Sequence, residues 1–404
     1  MTNATTTRPE DLREQMISNI RTAGHLHSER IEQAFRAVPR HRFVPAATVE
    51  EAYANKAITI KPGEDRPASC ISVPTVVVMM LEQLDPQPGQ RVLEIGAGTG
   101  YNAALLAELV GETGSVTTID IHPDVTDHAR RALDSAGYER VQVVTGDGAL
   151  GDAEHAPYDK IIVTVGPWDL PPAWFDQLAP GGTLVVPLHW RGQARSVAFA
   201  RQNDHLRATN SQLCGFIPMI GIVPTGEKSG SLAENVALYW DTDQDIDPAA
   251  LRDMLAQPAT TVWSGATVGN NEPFDHIWLW LTATEPGTCR IAAEPAAIEA
   301  GVCRPAFAYR TPALVEGNSL AYLAKPRPAD QPGPDGEPRY ELGATGYGPA
   351  AVQLAERLAE QIHRFDRDRT AQPVITAYPA GTADENMPTG VAIDKHHVRM
   401  VLTP

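Results

Sequence analysis

The stretch Val92-Leu93-Glu94-Ile95-Gly96-Ala97-Gly98-Thr99-Gly100-Tyr101 decides the fold of this chain. Its apolar first half predicts a buried strand, and the three alternating glycines predict a tight turn from that strand into a helix. Glycines in such a turn let the backbone approach a ligand closely, where a Cβ would collide. The spacing GxGxG, with Glu94 two residues before it, differs from the GxGxxG of nicotinamide binders and suits a ligand without a pyrophosphate.

Two acidic residues stand at the ends of the next predicted strands. Asp120 ends the following strand, 24 positions after Gly96, where a carboxylate can accept hydrogen bonds from both ribose hydroxyls. Asp147, in Gly146-Asp147-Gly148, ends the third strand and can reach an adenine amino group. These positions predict a nucleoside-binding crevice. The alternative is a Rossmann-like domain that uses its glycines for packing and binds no cofactor.

Predicted strands alternate with helices from Arg91 to Pro187. This alternation is typical of an α/β domain with a doubly wound, mostly parallel, Rossmann-like sheet. Before it, residues 12–37 carry helical apolar spacing, and residues 68–84 are predicted to form one helix. The N-terminal part therefore adds helices to the Rossmann-like unit.

The alternation stops after about Pro224. We therefore predict two domains, 1–225 and 226–404, the second with an α+β fold. Residues 277–282 are predicted to form a strand that carries Trp278 and Trp280 on one face. Burial in the core is one interpretation of this tryptophan pair, and a platform for stacking a peptide is the other.

Composition argues against several classes of partner. The formal net charge is −17, which disfavours nucleic acid and anionic membranes as partners. No apolar run reaches membrane-spanning length, and the polar N-terminus lacks the apolar core of a signal peptide. The four cysteines contain no CxxC pair, so they predict neither a zinc site nor a disulfide framework. We expect a cytoplasmic protein.

Residues from about Leu12 to Ile222 resemble the protein-L-isoaspartate O-methyltransferase family. The glycine stretch resembles that family's first cofactor motif, and Ile71-Ser72-Val73-Pro74 resembles its substrate-side ISxP loop. The resemblance implies S-adenosyl-L-methionine as the cofactor and a peptide or protein bearing an aspartate or isoaspartate as the substrate. The later matching motifs are Gly146-Asp147-Gly148, Ala156-Pro157-Tyr158-Asp159 and Gln177-Leu178-Ala179-Pro180-Gly181-Gly182-Thr183-Leu184-Val185-Val186-Pro187.

The same resemblance implies the site residues. Ser72 is implied to lie beside the substrate carboxylate as the catalytic residue, with Ile71, Val73 and Thr75 binding the substrate. Thr75 departs from the family, whose members commonly have a histidine there. Capping of the helix that begins near Pro74 is the alternative role for Ser72. The residues implied to bind the cofactor are Glu94, Gly96, Ala97, Gly98, Thr99, Gly100, Tyr101, Asp120, Ile121, Asp147 and Gly148.

The last 180 or so residues resemble the C-terminal part of isoaspartyl-methyltransferase-like enzymes found beside lanthipeptide biosynthesis genes. This comparison depends on three stretches, Phe274–Leu281, Gly346–Pro349 and Ile393–His397. Those enzymes methylate an ordinary aspartate in a constrained peptide, and the ester then cyclises to an aspartimide. The resemblance predicts this activity, with residues 226–404 recognising the substrate. Repair of isoaspartyl residues in damaged proteins is the alternative, and a non-catalytic scaffold is the alternative from another class.

The sequence contains no Ser–His–Asp order, HExxH motif or Walker loop. A carboxylate is already ionised at pH 7, so its methylation needs alignment and exclusion of water rather than a general base. This chemistry fits carboxylate methylation. Asp394, His396 and His397 could suggest a metal, but adjacent histidines on a strand point to opposite faces, so no metal is predicted.

Overall fold

The structure, a computed structural model, describes residues 8–64, 66–333 and 336–404. Residues 1–7, which open the predicted first domain, lie outside the described residues. The chain divides into two compact units, Met1–Leu188 with Ala194–Pro224 and His189–Gln193 with Thr225–Pro404. Within the described residues, no helix combines the length and the apolar character needed to cross a membrane.

Helices and a short hairpin precede the main sheet of the first unit. They are α1 (Pro9–Thr22), α2 (Glu29–Ala37), α3 (Val49–Tyr53), β1 (Ile58–Lys61), β2 (Ser69–Ile71) and α4 (Pro74–Leu84). Local sequence sets where they begin. The Ser28 side chain accepts a hydrogen bond from the Ile31 amide at the start of α2, and Thr48 forms a capping box with Glu51 at α3.

The prediction of one helix over residues 68–84 is wrong in its first part. Ser69–Ile71 is a strand that pairs antiparallel with β1, and α4 begins only at Pro74. Proline has no N–H and its ring disfavours helical backbone at the preceding residue, so a helix can begin at Pro74 but does not run through it. Ser72 therefore lies in a connection between β2 and α4.

The main sheet of the first unit confirms the predicted Rossmann-like α/β fold. Its strands and helices are β3 (Arg91–Ile95), α5 (Tyr101–Val110), β4 (Ser115–Asp120), α6 (Pro123–Ala136), β5 (Gln142–Thr145), β6 (Tyr158–Val163), α7 (Pro172–Gln177), β7 (Leu178–Trp190), β8 (Gln193–Arg201) and β9 (Leu206–Leu213). The strand order is β9-β8-β7-β6-β3-β4-β5. β3 pairs in parallel with both β4 and β6, so the order reverses beside β3, and a crevice opens at its carboxyl end.

The second unit contains an antiparallel sheet in the order β10-β11-β13-β14-β15-β17-β12. A smaller antiparallel set, β19-β20-β18, ends the chain, and α10 buries one apolar face against the larger sheet. The elements are β10 (Glu227–Ala233), β11 (Val236–Asp241), β12 (Thr260–Gly269), α8 (His276–Thr284), β13 (Thr288–Ala293), α9 (Pro295–Glu299), β14 (Thr311–Glu316), β15 (Ser319–Leu323), β16 (Arg327–Pro328), β17 (Arg339–Tyr347), α10 (Ala351–Arg367), β18 (Val374–Pro379), β19 (Val391–Asp394) and β20 (Val398–Thr403).

The predicted strand at residues 277–282 is wrong, because these residues lie in α8. A continuous apolar run has no period that separates a strand from a buried helix, so the sequence pattern could not decide between them. Trp278 is buried, and its indole N–H donates to the Arg191 carbonyl at 3.1 Å. Burial in the core, one of the two interpretations, is therefore confirmed for Trp278.

Candidate active site

The glycine loop joins β3 to α5 and forms the floor of the crevice. Gly96, Gly98 and Gly100 have φ values of 103°, 51° and 83°, a region that favours glycine. A Cβ on Gly96 would lie 2.6 Å from the Thr164 hydroxyl oxygen. The predicted strand-to-helix turn is confirmed; the backbone conformation favours glycine at these three positions, and at Gly96 there is also no space for a side chain.

Glu94 lies beneath this loop and is almost completely buried. Its carboxylate accepts one hydrogen bond from the Asn102 side-chain amide at 2.8 Å and one from the Thr118 hydroxyl at 2.6 Å. Burial raises the pKa of Glu94 to about 7, although both hydrogen bonds oppose the shift. Glu94 thus ties the start of α5 to β4. Direct contact between Glu94 and the cofactor stays a prediction.

The buried Glu94 carboxyl should make stability depend on pH. Its pKa is higher in the folded chain than in the unfolded chain, so the folded state binds more protons between about pH 4.5 and 7. The resulting contribution to the free energy of unfolding is fully present below pH 4.5. It is lost as the pH rises through 7, and the loss is on the order of 3 kcal/mol. Glu94→Gln should abolish this dependence. Urea unfolding of both proteins at pH 5 and pH 8 checks it, and identical pH dependence would contradict it.

Asp120 ends β4 and contacts the glycine loop. Its carboxylate accepts a hydrogen bond from the Gly98 amide at 3.2 Å and another from the His122 amide at 3.1 Å. A carboxylate oxygen has a second lone pair, so both oxygens can still accept from a ligand hydroxyl. The structure therefore brings Asp120 and Gly98 together, as a ribose site requires. Ile121, the next predicted contact, is half-buried beside it.

Asp147 follows β5 on the far side of the crevice. One of its oxygens accepts from the Ala149 amide at 2.9 Å, and the other accepts from the Ile222 amide at 2.8 Å. Gly221 packs so closely on this carboxylate that a Cβ there would collide with it. Gly148, also predicted to bind the cofactor, is buried against Ile95 at the end of β3.

The segment Phe216–Ile222 is a part of the site that sequence reasoning missed. The Gly166 amide donates to the Ile217 carbonyl at 2.7 Å, and the Met219 amide donates to the Gly166 carbonyl at 2.9 Å. The segment thereby passes the end of β6 and reaches Asp147. Ile220 and Ile222 remain 54% and 65% exposed. In the sequence, the only signal for this segment was an apolar run that contains Gly221. The fold shows that the segment reaches Asp147 at the predicted cofactor crevice.

The substrate-side loop lies directly against the glycine loop. A Cβ on Gly98 would stand 3.4 Å from the Cys70 carbonyl oxygen in β2, and Ser72 follows β2 by one residue. The Ser72 carbonyl accepts a hydrogen bond from Arg40 Nη2 at 2.8 Å. The N-cap of α4 is Val73 and not Ser72, and the Thr75 amide in the first turn donates to the Asn55 side-chain oxygen. The alternative role of Ser72 as a helix cap is therefore wrong.

Other predicted contacts differ in which atoms they can offer. Ile71 is buried in the core, so only its backbone can face a substrate. Val73 is half-buried. The Thr75 amide and hydroxyl both donate to the Asn55 side-chain oxygen at 3.2 Å, so Asn55 holds Thr75 in place. Substrate contact by these three residues stays a prediction.

The Tyr101 side chain points away from the glycine loop. It is buried and packs edge-on against Phe35 and Phe43, and its amide donates to the Thr99 hydroxyl at 3.3 Å. Ala97 and Thr99 are also buried. Cofactor contact by these residues stays a prediction and would use backbone atoms in the case of Tyr101.

One surface cluster could in principle hold a cation. In the described part of the chain, Asp152, Glu154 and His155 place potential ligand atoms within 4.8 Å of one another. Asp152 already accepts a hydrogen bond from the Tyr158 hydroxyl and lies 2.6 Å from His155 Nδ1. Exposed groups of this kind are common without a metal, and we assign none to it.

The arrangement places the loop predicted to bind the substrate next to the loop predicted to bind the cofactor. Asp120 at the end of β4 and Asp147 after β5 lie at the same edge of the sheet as the glycine loop, and acceptors of this kind beside a glycine turn fit a nucleoside-bearing ligand. The Ser72 loop lies against the same glycine loop.

Comparison with known proteins agrees with this geometry. Residues 11–223, more than half of the chain, match the model of the family "Protein-L-isoaspartate(D-aspartate) O-methyltransferase (PCMT)". The protein-L-isoaspartate O-methyltransferase of Methanopyrus kandleri is 40% identical over 211 residues, which are 52% of this chain and 91% of that protein. The enzyme of the same name from Hyperthermus butylicus is 38% identical over 220 residues, 52% of this chain and 89% of that one.

A solved structure of a protein-L-isoaspartate O-methyltransferase also matches. It covers 90% of this chain and 96% of its own length with a TM-score of 0.50, and at 22% identity it shows the fold alone. The chain belongs to the protein-L-isoaspartate(D-aspartate) O-methyltransferase family and is an S-adenosylmethionine-dependent carboxyl O-methyltransferase.

Proposed function

We propose that this enzyme methylates the free α-carboxylate of L-isoaspartyl residues in peptides and proteins. The observation that carries the proposal is the 40% identity to the Methanopyrus kandleri protein-L-isoaspartate O-methyltransferase over 91% of that protein's length. This choice replaces the prediction of an ordinary aspartate in a lanthipeptide as the first candidate. The lanthipeptide candidate depends on a resemblance of the C-terminal extension, whereas the matches to the Methanopyrus kandleri and Hyperthermus butylicus enzymes each cover 52% of this chain.

The proposed mechanism needs alignment of groups more than proton transfer. S-adenosylmethionine, when bound, supplies an electrophilic methyl group that a nucleophile can take from its sulfonium. Asp120 and Asp147 would hold the nucleoside, and the glycine loop would let the ligand approach the backbone. The acceptor carboxylate is already ionised, so no side chain has to remove a proton. Ser72 would donate a hydrogen bond that orients the acceptor oxygen.

We also propose that residues 226–404 recognise the substrate. The support for this proposal is that residues 225–404 belong to a second compact unit, separate from the one that carries the glycine loop. An additional domain offers more surface that can contact the substrate, and such contacts allow an enzyme to discriminate among acceptors. The proposal keeps a cytoplasmic location, supported by four cysteines that are all free thiols.

Thr75 favours a second candidate function. It occupies the position at which the family resemblance leads us to expect histidine, and Asn55 holds both its amide and its hydroxyl. This difference changes the chemistry of the substrate side. The second candidate is therefore methylation of an ordinary aspartate in a constrained, ribosomally made peptide, followed by closure to an aspartimide with loss of methanol.

Three peptides distinguish these functions. Two share one sequence and contain either isoaspartate or aspartate, and the third is a cyclised lanthipeptide that contains aspartate. We expect mass spectrometry to show the gain of one methyl group, and then loss of methanol, on the isoaspartyl peptide and not on its aspartyl twin. Methylation of the cyclised peptide alone would establish the second candidate instead. Cofactor binding without turnover of any peptide would point to the scaffold alternative.

A further inference from the structure

Arg40 is a charged residue that contacts the Ser72 loop and has no role in the mechanism proposed above. It begins the 3₁₀ turn Arg40–Phe43, and its side chain is completely buried. Burial lowers the pKa of the guanidinium, which nevertheless stays charged at neutral pH. A buried charge is costly unless partners satisfy it; Nε and Nη2 have hydrogen-bond partners, and Nη1 has none among the described residues.

The partners of Arg40 come from three separate elements. Nε donates to the Ala52 carbonyl in α3 at 2.8 Å, and Nη2 donates to the Ser72 carbonyl at 2.8 Å. The guanidinium carbon lies 5.0 Å from the centroid of the Tyr101 ring, a cation–π distance. These partners are two carbonyl groups and a ring face. The guanidinium is therefore held by directional hydrogen bonds and by a ring face.

Two of these partners belong to the active site. Ser72 is the residue proposed to orient the acceptor carboxylate, and Tyr101 is the first residue of α5, directly after Gly100. Cys70, two residues before Ser72, already lies against Gly98. Arg40 thus connects the substrate-side loop and the end of the glycine loop from the buried side.

We propose that Arg40 is a positioning residue for methyl transfer, which fixes the Ser72 peptide group relative to the glycine loop. The hydrogen bond to the Ser72 carbonyl restrains the peptide group after Ser72, and with it the backbone from which the Ser72 side chain projects. An error of about 1 Å in the placement of reacting groups can slow a reaction by about 100-fold. The identity of the acceptor rests on the proposed function, whereas the placement of Ser72 does not.

Two substitutions of Arg40 and one control test this role. Arg40→Lys keeps the charge, but a single ammonium group does not reproduce a planar fork that reaches two carbonyls. Arg40→Gln removes the charge and serves as the second variant if Arg40→Lys does not fold. The control is Arg130→Met, because Arg130 also donates to two backbone carbonyls of the same unit, those of Tyr138 and Val141.

We expect Arg40→Lys to lower kcat for the isoaspartyl peptide by about tenfold or more, with KM and the Kd of S-adenosylhomocysteine changed by less than about threefold. Hydrogen–deuterium exchange should become faster in residues 69–77. Arg130→Met should leave kcat and this exchange as they are in the unsubstituted protein, even where it lowers the melting temperature.

Three results would overturn the inference: unchanged kcat in a folded Arg40 variant, unchanged exchange in residues 69–77, or an equal loss of kcat in Arg130→Met. If the unsubstituted enzyme methylates none of the peptides, the proposed function fails. The exchange measurement then still decides whether Arg40 holds the Ser72 loop, so the two failures can be told apart.

Discussion

Replacing Asp120 with alanine is expected to weaken S-adenosylmethionine binding by about 2–3 kcal/mol, roughly 30- to 150-fold, while the fold persists. The physical reason is the loss of charge-assisted hydrogen bonds to the ribose hydroxyls. The carboxylate also holds the Gly98 and His122 amides, so its removal loosens the loop that carries it. Calorimetric titration of the purified variant with the cofactor measures the change directly.

Asp124→Ala is the matched control for this measurement. Asp124 lies four residues later, in the first turn of α6, and its carboxylate pairs with Lys61 at 2.7 Å on the surface. Its removal should leave cofactor affinity unchanged. Asp120→Asn separates charge from shape and should fall between the alanine variant and the unsubstituted protein. Full affinity in a folded Asp120→Ala variant would remove this residue from the cofactor site.

Replacing Ser72 with alanine is expected to lower the methylation rate by about 100-fold, with cofactor affinity nearly unchanged. The hydroxyl would act on the acceptor carboxylate and not on the nucleoside, so turnover and cofactor binding should separate. Steady-state kinetics with the acceptor peptide gives the methylation rate. Calorimetric titration of the same preparation gives its affinity for the cofactor.

Ser135→Ala provides the comparison for a serine outside the site. The Ser135 hydroxyl donates to the Ala132 carbonyl in α6, and its loss should not change turnover. Normal turnover in Ser72→Ala would exclude a substrate-orienting hydroxyl. A lower melting temperature through loss of an N-cap is not expected, because the N-cap of α4 is Val73 and not Ser72.

Much of the fold and part of the site were predictable because they depend on neighbours in the sequence. The apolar run at Val92–Ile95 and the three glycines determine a strand, a turn and a helix within ten residues. Asp120 and Asp147 follow the next strands, and parallel strands bring their carboxyl ends to one edge. By contrast, residues 277–282 formed a helix against prediction, since an unbroken apolar run carries no period.

The directions of individual side chains were not predictable in the same way. The motif predicted that Tyr101 and Ile71 contact ligands, yet the fold turns both side chains into the core. Glu94 likewise lies under the loop and bonds Asn102 and Thr118. A motif shows which backbone approaches the ligand, but packing decides which side of each residue faces it.

The sequence alone determined the strand–turn–helix unit, the alternation that builds the Rossmann-like sheet and the acidic residues at its edge. These features follow from local periodicity and backbone preference, which act over a few residues. Only the tertiary structure decided that Arg40 reaches Ser72 across 32 positions and that Ile222 reaches Asp147 across 75. Contacts of that separation arise when distant elements share a core, and no local pattern encodes which atoms then meet.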